Sequence, residues 1–271
     1  MSNIITLTTD FGLQDEYVGV MKGVILSRLP AATIVDLCHF IARQDICRAA
    51  MLIGSTYQYF PKGTVHVVVV DPGVGSERRL LLVSADNYLF LAPDNGVLTP
   101  LIKHAEFKAA YHIDCPAHYL TPVSSTFHGR DIMAPVAAQL AGGMEPEEVG
   151  PRLRRDELIT IPVAGAEVSQ DQRKITGEII AIDHFGNLLT NVPEKALYDL
   201  LHGKDLAGLE VMVRNITIKG LQKTYTQEAP GNLLAIIGSR GFMEIAVNKG
   251  NAATNLDAEI GDKVVVTSGV G

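Results

Sequence analysis

Residues 64–71, Thr-Val-His-Val-Val-Val-Val-Asp, form a run in which apolar side chains follow one another without alternation. A strand with one wet face alternates apolar and polar residues, so this run predicts a strand covered on both faces. Such a strand needs helices above and below its sheet, and the flanking sequence supplies them. "NIITLTTD" is a short apolar strand closing on Asp10. Tyr17, Val18, Met21, Val24, Ile25 and Leu29 then recur at helical spacing before Pro30. "ATIVDL" gives a second strand, and residues 45–60 a second helix with Ile46, Ala49, Ala50, Ile53 and Tyr57 on one face. "RLLLVSAD" and "YLFLA" predict a hairpin across Asn87, and "DIMAPVAAQLAGG" a helix with Pro135 near its first turn. Alternation of this kind predicts an α/β domain over residues 1–160, its sheet mostly parallel and flanked by helices.

The period changes after residues 142–174, a stretch rich in Gly, Pro and charge. "ITGEIIAID", "LEVMVRNITI", "KTYTQ", "NLLAIIGS", "FMEIAVN" and "DKVVVTSG" read as short strands between Gly, Asn and Pro turns. Residues 172–271 are therefore expected to form a smaller, all-β, barrel-like domain.

Of the 271 residues, 47% are hydrophobic, ample for two cores, and no uncharged apolar run is long enough for a membrane span. A net charge of −7 without a Lys/Arg block gives nucleic acid or an anionic membrane little to bind. "MSNIITLTTDFG" lacks the basic and apolar regions of a secretion signal. Cys38, Cys47 and Cys115 show no CxxC spacing, so reduced thiols in a cytoplasmic protein are expected.

Ligands of open α/β sheets bind beyond the carboxyl ends of the strands. Asp10, Asp36 and Asp71 stand at such ends. In "DPGVGSERR", Pro72 fixes φ and two glycines turn the chain sharply, presenting Asp71 on a rigid ledge over which Arg78 and Arg79 can fold back. A carboxylate pinned by a guanidinium stays charged and oriented; alternatively Asp71 merely caps the turn. His128 in "SSTFHGRD" precedes a helix, where an imidazole resists protonation and suits a proton acceptor or orienter. His39, His66, His104, His112, His118 and His202 are taken as structural.

Downstream, "IDHFGNLLTN" gathers Asp183, Phe185 and Asn187 around a glycine turn, and "GSRG" offers Ser239 and Arg240. Singly each is ordinary turn chemistry. Together they suit a zwitterionic, nucleoside-like ligand: acid for ammonium, arginine for carboxylate, ring and amide for a base. "GVGSER" is only part of GxGxxG, and GxxxxGK[ST], HExxH and GxSxG are absent. A divalent cation at Asp10, Asp36, Asp71 and His128 is disfavoured, because Arg78 already supplies positive charge beside Asp71.

"TTDFG", "VVDPGVGSERR", "APDNG", "TFHGRDIMAPVAA", "IDHFGNLLTN" and "GSRGFMEIAVNKGNAA", in that order, strongly resemble the adenosine-forming S-adenosyl-L-methionine (SAM) hydrolases, or SAM hydroxide adenosyltransferases. SAM-dependent chlorinase and fluorinase share the fold. The resemblance implies a homotrimer with SAM as substrate, each site lying between the N-terminal domain of one subunit and the C-terminal domain of its neighbour; no cofactor and no metal are expected. It makes Asp71, Arg78 and His128 the trio around the attacking water. Asp10 would hold the ribose diol, Asp183, Ser239 and Arg240 the methionine end, and Phe185 and Asn187 the adenine side. The halogenases carry a tyrosine where this chain has Asp71, and a carboxylate repels halide at contact distance. A halogenase, or a sensor that binds SAM or a nucleoside without turnover, are the alternatives.

Overall fold

The buried valine strand sits in the middle of a layered sheet. The computed structural model describes residues 2–103, 105–162, 165–171, 173–201 and 208–268, so His104 and His202 lie outside the described residues. The chain divides into two units, residues 1–163 and 164–271.

In the first unit β1 (Ile4–Thr9), β2 (Thr33–Cys38), β3 (Val65–Val69), β4 (Leu80–Ala85), β5 (Tyr88–Pro93), β6 (Phe107–His112) and β7 (Arg152–Leu153) form one sheet in the order β2-β1-β3-β5-β4-β6-β7. All five residues of β3 are buried. Val65, Val67 and Val69 enter one core with Met21 and Ile25 of α1 (Tyr17–Arg28) and with α4 (Ala134–Ala141). Val68 and the following Val70 enter the opposite core with α2 (Ile46–Thr56) and α3 (Thr99–Lys103). Full burial of a valine is worth about 1.5–3 kcal/mol, so β3 is anchored from both sides.

The sheet is mixed, not mostly parallel. β2, β1, β3 and β5 pair in parallel, whereas β4, β6 and β7 join antiparallel. The reversal has a local cause. Asp86 and Asn87 both take positive φ, 50° and 65°, in a two-residue loop that pairs Ala85 with Tyr88. This is the turn that folds a chain back on itself in a tight hairpin, and β6 (unsignalled by periodicity) returns beside β4.

The second unit forms an antiparallel, nearly closed, barrel-like sheet in the order β12-β11-β15-β9-β10-β14-β13, with β8 pairing on β9. Its strands are β8 (Glu167–Val168), β9 (Lys174–Ile182), β10 (Leu188–Pro193), β11 (Leu209–Val213), β12 (Ile216–Lys219), β13 (Leu233–Ile237), β14 (Phe242–Val247) and β15 (Lys263–Ser268). A bridge from Gln222 to Ile236 draws the two ends of that order together. "LEVMVRNITI" is a hairpin turning at Arg214, whose φ is 52°. "KTYTQ" is not a strand: Thr224 and Gln227 cap a short 3₁₀ turn, Tyr225–Gln227. Two helices, α5 (Glu194–Leu201) and α6 (Ala252–Leu256), accompany the strands. Among the described residues, no helix is long and apolar enough to cross a membrane.

The buried histidine of β3 leaves a pH signature. His66 is wholly enclosed, with Nδ1 2.8 Å from Thr6 Oγ1 and its ring stacked on Phe90 at 5.0 Å. Burial lowers its pKa from 6.5 to about 3. Between those values the unfolded chain binds a proton that the folded chain does not, so stability falls as pH falls through this window. His66→Gln is expected to flatten the stability–pH curve between pH 5 and 6 by roughly 1 kcal/mol per pH unit in urea unfolding. Curves that run parallel to the native protein's would refute it.

Candidate active site

Parallel pairing of β1 with β3, Thr9 opposite Val69, delivers Asp10 and Asp71 at the same carboxyl edge. Past Val70 the chain turns at once: Val74 N donates to Asp71 O at 3.3 Å and Ser76 N to Gly73 O at 3.1 Å. The turn sends the Arg78 side chain back onto Asp71. Arg78 Nε donates to both carboxylate oxygens at 2.8 Å, and Nη2 to Oδ2 at 2.5 Å. The Asp71 side chain is 6% exposed and that of Arg78 10%, so the pair is nearly dry. Removing one partner from such a pair typically costs about 3–5 kcal/mol, because the other charge is left buried alone. Arg79 does not join it. Its guanidinium turns to Asp94, with Nε 2.9 Å and Nη2 2.5 Å from Oδ2.

The second loop is held by Asp131, which accepts from Ser124 N at 2.8 Å and from Arg130 Nε and Nη2 at 2.7 and 2.9 Å. His128 caps a π-turn, Gly129–Met133, that runs into α4. A Cβ on Gly129 would stand 3.2 Å from Val69 Cγ1 and 3.3 Å from Met21 Sδ, so this bare backbone rests against the end of β3. That approach brings His128 Nδ1 to 2.9 Å from Arg78 Nη2. A guanidinium only donates, so Nδ1 accepts and the neutral imidazole carries its proton on Nε2. Burial first, then the Arg78 charge, holds His128 below the usual imidazole range, while Asp71 and Asp131 pull the other way.

Asp10, Gln44, Phe11, Asp71, Phe127 and His128 line one pocket of about 280 Å3. Asp10 Oδ2 accepts from Gln44 N at 2.8 Å. Phe11, Tyr17 and Phe127 form a mutually tilted ring cluster, with centroids 5.3–5.9 Å apart. Phe11 and Phe127 are chain neighbours of the residues the sequence singles out, but Gln44 enters through a positive φ of 65° that no motif announces. Asp36 does not line this pocket. Lys22 Nζ lies 2.6 Å and His39 Nε2 3.0 Å from its carboxylate, and the lysine first among these partners lowers its pKa against the opposing effect of burial.

In the second unit, Asp183 organises its own turn. Its Oδ1 accepts from Phe185 N at 2.8 Å and Asn187 N at 2.9 Å, and its Oδ2 from Asn187 Nδ2 at 2.9 Å. Phe185 is left 72% exposed. Ser239 and Arg240 occupy the tip between β13 and β14, closed by Gly241 N donating to Gly238 O at 3.0 Å. Glu244, which no motif reading singled out, feels the charges of both turns. Burial raises its pKa, Arg240 lowers it and Asp183 raises it, and Tyr225 Oη donates to it at 3.3 Å.

The two loops of the first unit interlock at Gly75, whose φ is 79° and where a Cβ would overlap the Ser125 carbonyl oxygen. Gly75→Ala is expected to destabilise the protein by about 1–3 kcal/mol in urea unfolding. Unchanged stability would show that the loops do not lock there.

Two family models match: the SAM hydroxide adenosyltransferase N-terminal domain over residues 5–150 and its C-terminal domain over residues 177–265. An (R)-S-adenosyl-L-methionine hydrolase of Salinispora arenicola is 35% identical across 98% of each chain. A fluorinase of Nocardia brasiliensis is 29% identical across 98% of this chain and 97% of its own. The crystal structure of an uncharacterized conserved protein from Thermotoga maritima superposes with a TM-score of 0.90 at 34% identity, covering 97% of this chain and 99% of that one. Both units, matched in order and almost end to end, make this chain a member of the SAM hydroxide adenosyltransferase family.

Proposed function

We propose that the protein hydrolyses SAM to adenosine and L-methionine, by in-line attack of water on the ribose C5′. The observation that carries this is the hydrogen-bonded Asp71–Arg78–His128 chain at one wall of the pocket that Asp10 also lines. A new C5′–O bond forms as the C5′–S bond breaks, and the electron pair of that bond goes to sulfur. Methionine thus leaves as a neutral thioether, with no acid needed to protonate it. The difficulty is the nucleophile, which is weak and must stand opposite the sulfur. Orienting reactants in this way can contribute about 7–11 kcal/mol.

The hydrogen-bond directions support a division of labour. His128 Nδ1 is taken by Arg78, so its remaining Nε2–H is a donor and suits the oxygen of the water. Asp71 is then the group that takes the proton as the C–O bond forms and later passes it to solvent. Arg78 aligns both and balances the carboxylate's charge. Within the same proposal Asp10 binds the ribose diol, Asp183, Ser239 and Arg240 the methionine end, and Phe185 and Asn187 the adenine. No cofactor takes part, and the enzyme works as a cytoplasmic homotrimer. A carboxylate in the place where a halogenase must seat a halide favours hydrolysis over halogenation.

Incubation with SAM is expected to yield adenosine and methionine in equal amounts, resolved by chromatography and mass, in chloride or fluoride buffer alike. A 5′-halogenated nucleoside, or tight binding without product, would overturn the assignment. Asp71→Asn keeps the shape and loses the base, so kcat should fall roughly 10²–10⁴-fold while SAM affinity by calorimetry stays within about threefold. Undiminished turnover would remove Asp71 from the chemistry.

A further inference from the structure

"APDNG", residues 92–96, is the one N-terminal motif that no role above absorbs. It begins in the last two residues of β5, the strand that pairs in parallel with β3 (Val67 opposite Leu91). Asn95 Nδ2 donates to the Val70 carbonyl at 2.9 Å, and Asn95 Oδ1 accepts from Val97 N at 3.1 Å. The Val97 N–H must donate, so the oxygen of the amide faces Val97 and its NH2 faces Val70. Val70 is fully buried, lies one residue past the end of β3 and immediately precedes Asp71. A buried carbonyl beyond its ladder needs a partner, and Asn95 is that partner.

Asp94 does the same for the other half of the pair. Its side chain is 1% exposed. Oδ2 receives the Arg79 guanidinium, Oδ1 receives Ile159 N at 2.9 Å, and its own N–H donates to Arg79 O at 2.9 Å. Arg79 immediately follows Arg78. Two consecutive residues therefore grip the covalent neighbours of both members of the Asp71–Arg78 pair, one before the aspartate and one after the arginine.

We infer that Asn95 and Asp94 are positioning residues for hydrolysis, fixing the carboxylate and guanidinium against each other from outside the pocket. Neither lines the pocket. The inference rests on the role proposed above for Asp71 and Arg78. A displacement on the order of 1 Å at a reacting group can cost about 10²-fold in rate, so the grip matters to turnover more than to binding.

The test is a double-mutant cycle read by kcat and KM separately, with long incubations and mass detection of adenosine for the slow variants. Asn95→Ala should lower kcat about 10–100-fold, with KM for SAM and calorimetric affinity for adenosine within about threefold. In the Asp71→Asn background the same change should cost almost nothing further, because it acts through Asp71. Should Asn95→Ala fail to fold, Asp94→Asn (which keeps the volume, removes the charge and replaces one acceptor oxygen by a donor NH2) carries the same cycle with a loss of about 3–10-fold. The positioning role is overturned if kcat changes less than twofold, if KM rises in step, or if the full loss recurs in the Asp71→Asn background. Full activity of Asp71→Asn alone would instead overturn the role of Asp71, so the two failures are distinguishable.

Discussion

A carboxylate and a guanidinium held almost out of water, Asp71 against Arg78, are the constraint around which the first unit is organised. Taking such charges from solvent costs several kcal/mol per ion, and only excellent geometry recovers it. Three donated hydrogen bonds supply the geometry, but they hold only if the backbone on either side cannot drift. This explains the wholly buried β3 beneath Asp71, the glycine at 75 that lets a second loop close over the turn, and the paired grips of Asp94 and Asn95. Packing here is the means by which polar groups are aimed.

Arg78 also settles the character of its neighbour. An imidazole is ambiguous, since either nitrogen can carry the proton, and the choice follows from what the other nitrogen meets. A donor at 2.9 Å from Nδ1 removes the ambiguity for His128. Burial and the adjacent positive charge keep that ring neutral below the range where most histidines titrate. One arginine thus neutralises a carboxylate and selects a tautomer, leaving an N–H donor on His128 beside an ionic acceptor on Asp71.

Much of this was legible in the sequence. The uninterrupted valines tell of burial on both faces, which β3 shows, and the structure brings Asp71 of the Pro-Gly turn and the glycine-flanked His128 to the same guanidinium, Arg78. Legibility ended where structure depends on partners far along the chain. Nothing local distinguishes Arg78 from Arg79, yet one returns to Asp71 and the other is captured by Asp94. Gln44 offers its backbone rather than its side chain, and a backbone donor leaves no residue-type signal. The periodicity of "KTYTQ" fits a strand, but a capping box closes it into a turn. Sheet direction was misjudged for a similar reason: alternation of strand and helix argues for parallel pairing, and one two-residue loop at Asp86–Asn87 reverses it.

That reversal has a geometric consequence. In a parallel sheet every strand leaves by one edge and enters by the other, so a residue just after one strand and a residue just before the next lie on opposite sides. Asp71 follows β3 and Arg78 precedes β4, and they meet because β4 runs against its neighbours. Direction of travel, more than any side chain, is what lets an exit and an entrance share a rim. The hairpin tip at Asp86–Asn87 is consigned to the far rim, a strand's length from the pair whose meeting it makes possible.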